Sequence, residues 1–136
     1  MIESLTFFLA MLGYAVLAVS AGVTRSSKRL IRATAAIVVL HVLLVWWFRY
    51  DWSVAAATRN GYGGFLLFHA ALVMILWATV APAPLSRRLI IGAFAIVSVG
   101  ALGAVFRYDV VRIYRIPVIL CAIAGTIGAL RRHHES

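Results

Sequence analysis

The chain has 136 residues, room for one domain, and is 64% hydrophobic but only 12% charged, with a formal net charge of +9. So few charges cannot clothe a soluble domain of this size, and the long apolar runs must therefore face lipid. The basic residues sit in short clusters between those runs, where membrane topology accounts for them, and no soluble face remains to carry the basic stripe of a nucleic-acid binder.

Five apolar segments follow one another: residues 5–21, 31–48, 62–80, 89–106 and 116–130. A spanning helix needs about 20 residues, with a lower limit of about 17. The first four segments meet that length. The fifth has 15 residues and reaches it only if Val110 to Ile113 extend it, so four spans are the alternative to five. Pro117 suits the first turn of that last helix, where a missing N–H costs nothing. In the first segment Val19-Ser20-Ala21 has the form of a cleavage site, but Glu3 and the lack of any Lys or Arg ahead of the run oppose a signal peptide. The expected fold is an all-α integral membrane bundle of five helices, one transmembrane domain over residues 1–136.

Topology follows from Lys and Arg. With five spans one side collects Arg25, Lys28, Arg29, Arg32, Arg87, Arg88, Arg131 and Arg132, and the other collects Arg49, Arg59, Arg107, Arg112 and Arg115. The richer side is expected to be cytoplasmic, which places the N-terminus outside and the C-terminus inside a bacterial inner membrane.

The chain also repeats itself. Ser27-Lys28-Arg29-Leu30-Ile31 aligns with Ser86-Arg87-Arg88-Leu89-Ile90, and Phe48-Arg49-Tyr50-Asp51 aligns, after one gap, with Phe106-Arg107-Tyr108-Asp109. The pattern predicts a duplicated helical hairpin in parallel orientation, about 5–52 and about 62–110, followed by an extra helix at about 116–130. The repeated FRYD then marks the outer end of the second helix of each copy. Tyr50 and Tyr108 belong at the headgroup level with Trp46, Trp47, Trp52 and Tyr62. Asp51 and Asp109 are expected to be structural, pairing across copies with Arg107 and Arg49 or simply anchoring the interface.

Small residues spaced four apart let membrane helices approach closely. Ala18 and Gly22, Gly100 and Ala104 with Gly92 further back, and Cys121, Gly125 and Ala129 all have this spacing. They predict seams inside the bundle or toward a partner. Cys121 is the one cysteine; it can form no internal disulfide and has no metal-type spacing. The outer loop DWSVAAATRNGYGG, residues 51–64, suggests a short interfacial helix near Trp52, Val54 and Ala55 and a turn at Asn60-Gly61. Arg59 and Asn60 are its polar groups best placed to meet a ligand or a partner.

Only two ionisable side chains fall well inside the apolar segments: His41 and His69. Such groups are candidate functional residues. His41 lies seven residues before Phe48, and His69 seven residues after Tyr62, so both sit about 10 Å below the outer interface. Two level histidines on adjacent antiparallel helices could supply both axial ligands of a b-type haem. Arg49, Arg59 and Arg107 would then hold its propionates. The arrangement resembles small membrane cytochromes b in geometry alone, with no shared motif. The alternative is that each imidazole bonds a carbonyl or hydroxyl across a helix seam. Neither histidine has a counterpart in the other copy: His41 aligns near Gly100 and His69 near Ala10. No metal site other than a haem iron is expected, because two nitrogens leave coordination incomplete and no span carries a carboxylate. The tail histidines His133 and His134 read as solvated.

No nucleotide-binding loop, zinc-protease motif or activated nucleophile is present, and the lack of a carboxylate within the spans argues against ion-coupled transport. The chain is therefore expected to be a non-catalytic accessory or assembly subunit of a larger membrane complex, bound to a protein partner or to copies of itself in the bilayer. The alternative is a bis-histidine haem b protein transferring electrons near the outer face.

Overall fold

Helices account for every long apolar run. The structure, a computed structural model, describes residues 2–23, 27–59 and 61–131. The order is α1 (Ile2–Gly22), α2 (Lys28–Phe48), a short α3 (Val54–Ala57), α4 (Tyr62–Val80), α5 (Ala83–Arg107), a 3-10 helix (Asp109–Tyr114) and α6 (Arg115–Arg131). Five of these stretches are long and apolar enough to cross a membrane, the last being Asp109–Arg131, which joins the 3-10 helix to α6. The doubtful fifth segment thus gains its length from residues 109–115. Arg25, Asn60, Arg132, His133, His134 and Glu135 lie outside the described residues.

The start of α5 differs from expectation. α5 begins at Ala83, not near Leu89, so Ser86-Arg87-Arg88 lies inside the helix. The reason is proline chemistry: Pro82 caps the helix and Pro84 sits at its start, where fixed φ favours helix and no N–H is needed. A short helix, α3, forms where the loop suggested one, with the Ser53 hydroxyl accepting from the Ala56 N–H at 3.2 Å.

Packing makes a ring of five helices with one contact across it. α1 lies between α2 and α6, α4 between α2 and α5, and α5 also packs on α6 and across the ring on α1. α1 is the central helix: 39% of its spanning window is buried inside the bundle, against 11% for the last span. Its inward residues Tyr14, Leu17, Ala18 and Ala21 recur at helical spacing and meet Ile31 and Ala35 of α2, Ile75 and Ala78 of α4, and Ile90 and Phe94 of α5 in one apolar core. Tyr14 stacks on Phe94 with ring centroids 6.0 Å apart. Outward, Val80, Ile113, Ile116 and Val99 stand at least 67% exposed, which suits lipid and would not suit water.

Hydrophobic burial does little to hold helices together in lipid, so close backbone approach and interhelical hydrogen bonds carry more of the weight. Gly22 of α1 meets Gly128 of α6 backbone to backbone; a Cβ on Gly128 would lie 2.5 Å from the Gly22 Cα. Gly100 receives Phe68 and Leu67 of α4, Gly125 receives the Phe94 ring, and Gly92 receives Met74. Hydroxyls supply the polar ties. Tyr14 and Ser98 join α1 to α5 at 2.8 Å, and Ser20 and Thr34 join α1 to α2 at 3.1 Å.

Candidate functional site

The two histidines belong to one half of the bundle but to different surroundings. His69 donates from Nδ1 to the Phe65 carbonyl one turn earlier, at 2.7 Å. Its ring lies 4.1 Å from the Phe65 ring and meets the edge of Trp46, from α2, at 6.2 Å. His41 interacts instead with the Thr6 backbone on α1, and its Nδ1 is enclosed without a hydrogen-bond partner. Residues 41 and 46 are about 140° apart around a helix, so the face of α2 that meets His69 is not the face that carries His41. An aromatic pair closes around one imidazole and the α1 backbone meets the other. Neither the shallow groove beside Trp47 nor the one beside Arg112 is lined by either histidine.

Arg49, Arg59 and Arg107 are all exposed. Arg107 lies over the ring of its neighbour Tyr108 at 5.7 Å. The cation committed to the fold at the FRYD end is Arg115, which sequence reasoning did not single out. Its Nε donates to the Val105 carbonyl at 2.7 Å and its guanidinium covers Phe106 at 5.2 Å, tying the start of α6 to the end of α5. Asp51 and Asp109 form no ion pair with Arg107, Arg49 or any other described residue.

The two FRYD copies repeat in sequence but not in backbone. In the first, Asp51 and Trp52 have φ of 46° and 56°, a left-handed turn that is costly for a bulky side chain. The turn folds Trp52 back onto Trp46, with centroids 6.0 Å apart, and onto the edge of Trp47 at 6.3 Å. In the second, Tyr108 is extended at φ −115° and ψ 123°, and Asp109 opens the 3-10 helix. The first copy therefore builds an aromatic corner. Leu43, Leu44, Trp47, Phe48 and Trp52 line a shallow apolar groove of about 440 Å³ there. The second copy builds the start of the last span.

At the opposite end, Lys28 carries a role its sequence position did not reveal. Its Nζ crosses from α2 to donate to the Ala78 and Ala81 carbonyls at 3.0 and 2.6 Å, filling the open C-terminal carbonyls of α4. The Ser86 hydroxyl, fully buried, donates to the same Ala78 oxygen at 2.7 Å. Among the described residues no group of three or more His, Cys, Asp or Glu could hold a metal ion. No protein-family model, curated protein or solved structure matches the chain.

Proposed function

We propose that the chain is a non-catalytic subunit that docks within the bilayer against a membrane protein partner or a second copy of itself, and that the α4–α5 hairpin presents the docking surface. One observation carries this reading. Small residues in membrane helices serve close helix contacts, and Gly13, Gly22, Gly92, Gly100, Gly125 and Gly128 are all met by another helix of the chain. Gly63 and Gly64 of α4 and Gly103 of α5 meet nothing within 4 Å. These notches lie at the same end of one hairpin and are available to a helix from outside. Gly103→Cys in a Cys121→Ser background tests the proposal. In native membranes it should crosslink into a species heavier than the chain. Absence of any adduct there and at Gly64→Cys would sink the reading.

The same proposal includes a duplicated hairpin as the origin of the bundle, supported by the packing of α1 on α2 and of α4 on α5. It also includes a bacterial inner membrane with the end bearing Lys28, Arg87 and Arg131 in the cytoplasm, supported by the uneven distribution of cations.

The haem b reading draws support from the enclosed, partnerless His41 Nδ1 and from the free Nε2 of His69, since axial histidines commonly donate their other nitrogen to a carbonyl. Against it, Trp46, the residue of α2 that meets His69, lies about 140° around that helix from His41. That rotation speaks against both imidazoles ligating one macrocycle. The oxidised and dithionite-reduced absorption spectra separate the readings: the docking subunit is colourless, and a haem protein shows a Soret band that His41→Ala and His69→Ala both abolish.

A further inference from the structure

Three residues make one turn of a 3-10 helix, so side chains three apart stand in line. The segment Asp109–Tyr114 and the first residues of α6 build three rows on that period. Val111 and Tyr114 face inward and pack against the core, Tyr114 meeting the Phe7 ring at 6.4 Å. Val110, Ile113 and Ile116 face outward, between 61% and 78% exposed. Asp109, Arg112 and Arg115 form the third row.

The charged and the outward rows share one open groove of about 470 Å³, lined by Asp109, Arg112, Ile113, Arg115 and Ile116. Arg115 is committed within the chain, to the Val105 carbonyl. The side chains of Asp109 and Arg112 are exposed and bond neither each other nor any other described residue, although they stand one turn apart. The groove thus offers a free acceptor and a free donor about 6 Å apart along the helix, beside an apolar strip. Its level follows from the last span: Asp109–Arg131 is long and apolar enough to cross a membrane, and Asp109 is its first residue. A group filling the groove meets headgroups on one side and acyl chains on the other. A plain anion would suit Arg112 but be repelled by Asp109. A zwitterion with a phosphate and a protonated primary amine suits both, the phosphate accepting from the guanidinium and the ammonium donating to the carboxylate. A trimethylated ammonium has no hydrogen to donate.

We propose that this groove binds a phospholipid through a phosphoethanolamine headgroup, with Asp109 taking the ammonium, Arg112 the phosphate, and Ile113 and Ile116 the acyl chains. The site lies on a different element from the α4–α5 docking face, so either can fail without the other.

The full chain in a neutral detergent, titrated with phosphatidylethanolamine, phosphatidylcholine or phosphatidylglycerol and read by native mass spectrometry, tests this. Retention of phosphatidylethanolamine should exceed that of either other lipid by about five-fold or more. Asp109→Asn and Arg112→Gln, both at exposed positions, should each lower it by about five-fold, and Asp109→Asn should leave phosphatidylglycerol no less retained than before. Arg88→Gln, at the other end of the bundle, should leave all three lipids unchanged. Equal retention of phosphatidylethanolamine and phosphatidylcholine, no effect of Asp109→Asn, or an equal loss in Arg88→Gln would overturn the site. Retention of phosphatidylglycerol as strong as that of phosphatidylethanolamine would overturn the zwitterion and make a plain anion the ligand. Displacement of the lipid by millimolar glycerophosphoethanolamine would overturn the lipid and make a soluble zwitterion the ligand.

Discussion

Gly128 and Gly103 have the same side chain and opposite expectations. A Cβ on Gly128 must push the α1 and α6 backbones apart, because what it meets is the Gly22 Cα and carbonyl and not the tip of a flexible chain. Gly128→Ala is expected to destabilise the bundle by about 1–3 kcal/mol. Gly103→Ala meets open space and, as a helix-interior Gly→Ala change, is expected to be neutral or to stabilise by up to about 1 kcal/mol. Thermal unfolding in detergent, followed by circular dichroism, reads both. Sequence spacing pointed to Gly22 and Gly125 but not to Gly128. The spacing rule tracks one helix face, and Gly128 lies three positions from Gly125, toward a different neighbour. The histidines show the same limit. Rise per residue sets how far along α2 and α4 they lie, but rotation about α2 depends on which helix packs where.

Among the elements, the α4–α5 turn depends on a side chain from outside it. Lys28 and Ser86 both fill the Ala78 carbonyl, and Lys28 also reaches Ala81. Lys28→Met is expected to cost about 1–2 kcal/mol, since it removes a charged donor from a helix C-terminus. Ser86→Ala should cost about 1 kcal/mol. The double variant should cost more than the sum, because either donor still serves the shared oxygen when the other is gone and only the double variant leaves it bare. Strict additivity in denaturant or thermal unfolding would show that the two do not act on one carbonyl. Sequence could place Lys28 in a basic cluster but could not assign it a partner 50 positions away. Element identity was easier: the long apolar runs are helices because lipid leaves backbone groups no other partner. The start of α5 moved because the prolines at 82 and 84 outweighed the apparent break at the basic cluster.

For the whole molecule, the outward surface decides what the chain can do. The interior is closed by side chains and its hydroxyls bond to one another or to helix carbonyls, while the outside is apolar over nearly all the spans. The class of protein was legible from composition for that reason. The docking face was not, because a glycine facing its own chain and one facing a partner look alike in a sequence. The most direct measurement is the mass of the assembly released gently from native membranes, for the wild-type chain and for Gly103→Leu. Wild type should migrate well above the 14.9 kDa chain with its detergent, and Gly103→Leu should fall to the single chain while keeping its helix content. A wild-type chain that is already solitary, or an assembly that Gly103→Leu leaves intact, would contradict docking through the α4–α5 hairpin.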